Sequence, residues 1–340
     1  MAKILVTGGM GYIGSHTVVE LVNAGYEPII VDDLSNSNIK IADQLGRIIG
    51  FKPKFYQFDL CDEKQVAELI AAEPDITGII HFAAFKAVGE SVKRPLKYYR
   101  NNFYSLINLL DAYNGQTVNF VFSSSCTVYG QPDELPVTET APIKPAQSPY
   151  GNTKQIAEEI LLDAVAAGEA EKVISLRYFN PVGAHDSALI GELPIGVPQN
   201  LVPFITQTAI GKREKITVFG NDYNTADGSC VRDYIHVVDL AKAHVAALKL
   251  MEKPDFAGYD VFNLGTGNGN TVLEIITAFE HSTGVKLNYE IGPRRDGDVE
   301  KVWGDVTKST NELHWVAELG IDTMMSSAWA WEKYLAQNPL

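Results

Sequence analysis

Cysteine is scarce in this chain of 340 residues: Cys61, Cys126 and Cys230 are odd in number and far apart. They offer neither zinc-site spacing nor an even set for a disulfide framework, so we expect a reducing, cytoplasmic setting and no metal. Long apolar runs are also missing. None nears the ~20 residues that span a bilayer, so no membrane partner is expected. Basic residues are in deficit, 28 Lys and Arg against 42 Asp and Glu, for a net charge of −14. No basic cluster stands out, which argues against nucleic acid as a partner. In so acidic a protein, any anion site must be local. The opening residues, Met1-Ala-Lys-Ile-Leu-Val-Thr-Gly-Gly, lack the charged, apolar and cleavage regions of a secretory signal, so none is expected. We find no internal repeat and no low-complexity segment.

What is present is the composition of a soluble globular enzyme, 46% apolar and 21% charged, with length enough for one large domain or two lobes. Short β-branched runs alternate with helical stretches. The pattern predicts strands over 4–7, 28–31, 54–58, 77–81, 119–123 and 173–177. It predicts helices over 13–24, 63–72, 96–113 and 150–167, the first ending at Gly25, a good C-cap residue. Repeated β-α units imply an α/β fold, a Rossmann-type doubly wound parallel sheet with helices on both faces. Right-handed crossovers then place the strand C-termini along one edge. After Asn180 the alternation breaks, and Pro and Gly dominate 181–203. We expect residues 1–180 to form the sheet domain, with returns from about 231–265, and 181–340 to form a smaller mixed α/β substrate lobe.

The first strand runs into Gly8-Gly9-Met10-Gly11-Tyr12-Ile13-Gly14. In a G-x-x-G-x-x-G turn Gly8 permits the tight bend, Gly11 lets a pyrophosphate approach the backbone, and Gly14 lets the helix pack against the sheet. The helix N-terminus supplies free N–H groups and a favourable dipole for the anion. The second strand ends in Asp32-Asp33, 18 positions beyond Gly14, where a ribose-binding carboxylate belongs. A carboxylate there accepts from a 2′-hydroxyl and repels a 2′-phosphate, which favours NAD over NADP. Asp59-Leu60 and Phe82-Ala83-Ala84-Phe85-Lys86 follow the third and fourth strands on the same edge. Asp59 suits an adenine amino group, and Ala83 and Ala84 leave room for the cofactor.

The fifth strand ends in Ser123-Ser124-Ser125, and 25 residues after Ser125 comes Tyr150-Gly-Asn-Thr-Lys154. Tyr150 and Lys154, four apart on a helix, share a face. Tyrosine titrates near 10, so bringing it three units down needs roughly 4 kcal/mol of preferential phenolate stabilisation. Lys154 and a positive nicotinamide ring can supply that together in a water-poor site.

The glycine turn, Ser125 and Tyr150-x-x-x-Lys154 resemble the extended short-chain dehydrogenase/reductase family. Further blocks narrow the resemblance to its UDP-glucose 4-epimerase members. These are His81-Phe-Ala-Ala-Phe-Lys-Ala-Val-Gly-Glu-Ser91, Phe122-Ser-Ser-Ser-Cys-Thr-Val-Tyr-Gly130, Arg177-Tyr-Phe-Asn-Pro-Val-Gly-Ala184, Gly228-Ser-Cys-Val-Arg-Asp-Tyr-Ile-His-Val237 and Arg294-Arg-Asp-Gly-Asp298. The resemblance implies reversible 4-epimerisation of UDP-galactose and UDP-glucose on bound NAD, with hydride leaving C4, the 4-keto sugar rotating, and hydride returning to the other face. Tyr150 is then the acid/base, and Ser125 orients the C4 oxygen. The resemblance adds Tyr12, Ile13, Leu34, Ser35, Asn36, Ser37, Phe82, Phe85, Lys86, Asn101, Ser123 and Phe179 to the NAD contacts. It places the UDP-sugar on Asn180, Asn200, Leu201, Thr217, Val218, Phe219, Arg232, Arg295, Asp298 and Val302. Arginine forks suit a diphosphate. It also implies a homodimer paired through the helices over 96–113 and 150–167.

Three positions depart from the family pattern. Ala84 stands where glycine is common. Cys126 follows the serine in place of alanine, for packing rather than thiol chemistry. Val302 falls where some members carry tyrosine, leaving room for the N-acetyl group of UDP-GalNAc or UDP-GlcNAc. Related 4,6-dehydratases need an Asp-Glu pair after the serine, and here it is Cys126-Thr127. The residues leave open another sugar nucleotide, such as UDP-glucuronate, and a non-catalytic NAD-binding sensor.

Overall fold

The computed structural model describes residues 1–295 and 299–340. Its first half runs β1 (Lys3–Thr7), α1 (Tyr12–Asn23), β2 (Glu27–Val31), α2 (Lys40–Ile49), β3 (Lys54–Tyr56), α3 (Glu63–Ala72), β4 (Ile76–His81), α4 (Val88–Lys93), α5 (Pro95–Tyr113), β5 (Asn119–Ser125), α6 (Pro149–Ala167) and β6 (Lys172–Tyr178). The second half runs β7 (Asn180–Val182), α7 (Leu201–Ala209), β8 (Ile216–Phe219), β9 (Val231–Arg232), β10 (Tyr234–His236), α8 (Val237–Met251), β11 (Gly258–Leu264), β12 (Asn270–Thr271), α9 (Val272–Thr283), β13 (Tyr289–Gly292), β14 (Lys301–Val302), α10 (Thr307–Glu312) and α11 (Ile321–Gln337).

Among the described residues the main sheet has the order β3-β2-β1-β4-β5-β6-β11. Every neighbouring pair in it is parallel. This is a Rossmann-type α/β sheet. The chain winds outward from β1 in one direction and from β4 in the other, so the crevice between their C-terminal ends is the switch point where such sheets bind ligands.

The strands are covered on both faces, which is why they read as continuous apolar runs. Side chains alternate across a strand, so β1 divides its residues between two cores. Ile4 and Val6 join Leu21 of α1 and Leu240 and Leu248 of α8 on one face. Leu5 joins Val66, Leu106, Leu109 and Leu161, from α3, α5 and α6, on the other. A third core, with Val202, Ile205, Val218, Ile275, Phe279, Met324 and Met325, holds α7, β8, α9 and α11 together as the second lobe. No helix among the described residues is long and apolar enough to cross a membrane.

The expected elements shift in instructive ways. β3 stops at Tyr56, two residues short of the predicted strand, because it is an edge strand with one neighbour. β5 instead runs on to Ser125, which is in register with Tyr178 of β6. α1 ends at Asn23, and Gly25 follows the cap at a left-handed φ of 85°. α2 and α4 add to the helices predicted between the strands. Beyond residue 230, α8 packs on α1 and β11 pairs with β6.

A buried ion pair fastens α6 to β6. The Arg177 Nε donates to both Glu158 oxygens at 3.0 and 3.2 Å, and Nη2 donates at 2.6 Å. Removing one partner strands the other charge away from water. Arg177→Leu is therefore expected to lower unfolding free energy by about 3–5 kcal/mol in urea denaturation. A loss below about 1 kcal/mol would show that the pair is no more than a surface-type contact.

Candidate active site

The glycine turn is built so that side chains cannot occupy it. Gly8 has a φ of 69°, and a Cβ there would lie 2.9 Å from the Ala83 nitrogen on the loop after β4. A Cβ on Gly14 would sit 2.3 Å from the Gly8 carbonyl oxygen. Gly11 is the N-cap of α1 and makes no side-chain cap, so the first-turn N–H groups face the crevice uncovered by a side chain. Tyr12 opens the helix and donates its hydroxyl to the Gly183 carbonyl at 2.7 Å, joining this turn to the second lobe. Ile13 packs on the core beneath.

Asp32 sits at the end of β2, buried beside the turn. Its carboxylate accepts from the Met10 N–H at 3.0 Å, the Leu34 N–H at 2.8 Å and the Ser37 hydroxyl at 2.8 Å. Burial raises its pKa, and these donors work against the rise. Asp33 accepts from the Ser35 N–H, and Ser35 and Asn36 form an exposed turn. Asp59 turns the chain after β3 by accepting from the Cys61 N–H. The donor set fits NAD: a bare helix N-terminus for the pyrophosphate and a carboxylate one strand away for the ribose.

Three consecutive serines at the end of β5 each take a different partner. Ser123 Oγ bonds the Tyr178 hydroxyl. Ser124 Oγ donates to Glu158. Ser125 accepts from the Thr127 N–H at 3.3 Å and is close enough to Tyr150 to pull its pKa down. α6 begins at Pro149, with Ser148 capping it through the Gly151 N–H at 3.1 Å. That start sets Tyr150 and Lys154 on the face toward β5. Lys154 is buried, donates to the Ser123 carbonyl at 2.5 Å and lies 4.6 Å from the Phe122 ring centre.

Burial brings Lys154 down to about 7, against the pull of Glu158. Burial pushes Tyr150 up to about 12, and Ser125 beside it works against that rise. The chain's own groups therefore hold the phenol as a neutral acid, and its ionisation at neutral pH needs a further cation in the crevice. His81, beside Lys154, is pushed down to about 3 by burial and by that lysine, so it is neutral; its Nδ1 shares a bond with Thr7 Oγ1 at 2.8 Å.

The second lobe supplies a separate polar group. Arg232 lies on β9, in register with Val302 of β14 and Asn270 of β12. Its neighbour Asp233 is fully buried and accepts from the Thr266 N–H and hydroxyl, both at 2.8 Å, and from the Gly267 N–H at 3.2 Å. Asn180 donates through its side chain to the Asp233 carbonyl at 3.1 Å. Thr217, Val218 and Phe219 lie on β8, and the Arg295 guanidinium is 5.6 Å from the Phe219 ring centre. Asn200 precedes α7, which Leu201 begins, and bonds Glu192 at 2.6 Å. Phe179, expected beside the nicotinamide, is buried with its ring against the Gly304 backbone, in one cluster with Val302, Val128 and Tyr129. Asp298 lies outside the described residues.

Several site residues were missed in the sequence. Asn102 clamps the loop carrying Phe82, Ala84, Phe85 and Lys86: it accepts from the Phe85 N–H at 2.9 Å and donates to the Phe85 carbonyl and to Thr153 Oγ1, each at 3.1 Å. Asn101 beside it donates to Asn102 and has its carbonyl 3.7 Å from the Cys61 sulfur. Nothing in the sequence marks Asn102. Glu158 was findable, since it follows Lys154 by one helical turn.

The family described as GDP-mannose 4,6 dehydratase matches residues 5–328. A protein of Yersinia pestis named UDP-glucose 4-epimerase is 47% identical over 338 residues, 99% of this chain and 98% of that one. The crystal structure of UDP-glucose 4-epimerase from Stenotrophomonas maltophila, with bound NAD and formylated UDP-arabinopyranose, superposes with a TM-score of 0.95 at 46% identity, covering 99% of both chains. That from Bifidobacterium longum, in complex with NAD+ and UDP, gives 0.93 at 46% identity over 99% of both chains. The dehydratase description covers the broader family. Cys126 and Thr127 here replace the acid/base pair that dehydration needs.

The turn geometry predicts the effect of Gly14→Val. Its side chain would start inside the Gly8 carbonyl contact and force the turn apart. NAD affinity, read by fluorescence titration, is expected to fall at least about tenfold. Native-like affinity would show that the turn is not the pyrophosphate site.

Proposed function

This chain belongs to the UDP-glucose 4-epimerase family, and on that premise we propose that Tyr150, Ser125 and Lys154 carry the interconversion of UDP-galactose and UDP-glucose. The observation that carries the proposal is the buried Lys154, which donates to the Ser123 carbonyl at 2.5 Å one helical turn beyond Tyr150, beside the strand that ends in Ser125. Bound NAD supplies the hydride acceptor and donor that make oxidation at C4 reversible. Tyr150 Oη takes the proton from the sugar 4-hydroxyl and returns it to the reformed hydroxyl. Ser125 holds the C4 oxygen, and Lys154 adds positive charge that favours the phenolate. The buried walls around Lys154 keep water from screening that charge.

The site assignments divide by lobe. Residues 1–180, with returns from about 231–265, hold NAD through the glycine turn, Asp32 and the loops after β3 and β4. The 181–340 lobe holds UDP through Asn180, Asn200, Arg232 and Arg295. Substrate range extends to UDP-GalNAc and UDP-GlcNAc, because valine at 302 leaves space that a tyrosine fills. α5 and α6 pair with those of a second copy. Leu96, Tyr104 and Ile107 on α5 and Leu162 on α6 are exposed apolar residues that favour this packing, and light scattering at twice 37.3 kDa checks it. The setting is the cytoplasm, where the three free cysteines stay reduced.

Purified protein given UDP-galactose without added cofactor is expected to form UDP-glucose by NMR. The same assay with UDP-GlcNAc is expected to form UDP-GalNAc at a comparable rate. Tyr150→Phe should abolish both conversions and leave NAD bound. Native protein inert toward every UDP-sugar would refute the assignment, and inertness toward UDP-GlcNAc alone would refute the wider range. Lys154→Met is expected to lower kcat on the order of 10²-fold. Without that cation the phenol is harder to ionise, so the ascending limb of the pH profile moves to higher pH. An unmoved limb would remove Lys154 from phenolate stabilisation.

A further inference from the structure

One carboxylate touches both halves of the proposed site. Glu192 Oε1 accepts from Asn200 Nδ2 at 2.6 Å, and the same oxygen is 3.8 Å from Lys86 Nζ. Asn200 comes from the start of α7 in the second lobe, and Lys86 from the loop after β4 in the sheet domain. The Glu192 side chain is only 12% exposed. Burial raises its pKa, while Lys86 and Asn200 pull against that rise. Its charge in turn helps raise the pKa of Tyr12 at the start of α1, so the glycine turn is close by.

The backbone beneath this carboxylate is fixed. The Trp331 indole N–H donates to the Glu192 carbonyl at 2.8 Å. Gly191 packs so closely on that indole that a Cβ would lie 2.5 Å from its ring. Gly191 also pairs with Ala184 in an isolated antiparallel bridge. On the other side Asn102 clamps Phe85, next to Lys86. Both partners thus meet a carboxylate whose own position is set by α11, the arrangement a preorganised site needs. Asn200 is the N-cap residue of α7 but makes no side-chain cap. Its amide goes to Glu192 instead.

We propose that Glu192 is a positioning residue of the nucleotide-sugar site, holding Asn200 in the arrangement that receives the UDP diphosphate, beside Lys86 of the cofactor loop. This rests on the reading of Asn200 as a UDP contact and Lys86 as a cofactor contact. Lys86 is about half exposed, so its ion pair is weak. The Asn200 hydrogen bond carries most of the effect.

The test uses the NAD-loaded protein, with UDP as the probe in calorimetry and UDP-galactose in kinetics. Glu192→Ala is expected to weaken UDP binding and raise KM about tenfold, with kcat within about twofold and NAD content unchanged. Glu192→Gln can still accept from the Asn200 amide, and should recover Kd to within about threefold of native. The cycle of Asn200→Ala, Glu192→Ala and their double variant should be non-additive, the double costing about as much as Asn200→Ala alone. Unchanged UDP affinity in Glu192→Ala, additivity in the cycle, or a Gln variant no better than Ala would each overturn the proposal. If Glu192→Ala does not fold, Asn200→Ala decides: UDP affinity unchanged in that variant overturns the proposal. Native protein that does not bind UDP would overturn the nucleotide-sugar reading itself, before any variant is compared.

Discussion

A carboxylate and a guanidinium sealed between α6 and β6 set the position of the reactive groups. Taking both charges out of water costs more than their attraction returns unless every remaining donor and acceptor is satisfied. Here they are supplied in full. Glu158 accepts from two nitrogens of the Arg177 fork, Nε and Nη2, and from Ser124. Arg177 Nη1 also donates to the Tyr129 hydroxyl at 3.0 Å and the Glu139 carbonyl at 3.2 Å. The Tyr129 hydroxyl donates to Asn263 Oδ1 at 2.7 Å, and the Asn263 amide donates to the Val137 carbonyl at 2.9 Å. The Val137 N–H donates to the carbonyl of Trp303, next to Val302, at 2.9 Å. A single chain of bonds thus runs from the helix bearing Tyr150 and Lys154 to the strap bearing Val302. A network so fully paired specifies one arrangement, because any slip leaves a buried group unpartnered.

That constraint explains the electrostatics of the crevice. Glu158 lies one turn from Lys154, yet its charge is committed to Arg177 and Ser124. It cannot fully offset the burial of Lys154, which falls to about 7. Tyr150 meanwhile rises to about 12. At neutral pH Tyr150 is thus held protonated and Lys154 sits near the midpoint of its titration. A site arranged in this way responds strongly to an added positive charge, since each group changes ionisation most readily when a new charge enters a water-poor space. The glycine turn and Asp32, at the neighbouring strand ends, are where a cationic nicotinamide dinucleotide would be anchored.

Much of this was legible in the sequence, and the reasons are physical. The sheet could be read because its strands are buried on both faces and so spell continuous apolar runs. Gly8 and Gly14 could be read because a Cβ has no room there, and Tyr150 with Lys154 because helical spacing is local. Glu192, Asn102 and Asn263 could not be read. Their partners lie 8, 17 and 134 positions away, across different elements, and no period of helix or strand links such residues. β3 was overdrawn because apolar pattern cannot tell an edge strand, which ends when its neighbour does, from a central one. The second lobe was left undivided because its strands are two to four residues long, too short to show alternation.

The net charge of −14 poses the remaining question, how so acidic a chain would hold a diphosphate. We propose Arg232 for that role. It sits on β9 in register with Val302, and its charge pulls down the Cys126 thiol that burial pushes up to about 12. The arginine is therefore close to the turn that follows Ser125. Its neighbour Asp233 is committed to Thr266 and Gly267 by hydrogen bonds from neutral donors. The acidic surplus lies mostly on surfaces where solvent and salt screen it within about 10 Å. Inside the crevice short distances and low dielectric decide, so one arginine outweighs the distant acids. Arg232 thus lies near the turn after Ser125, as a site that both binds the diphosphate and acts on the sugar would require.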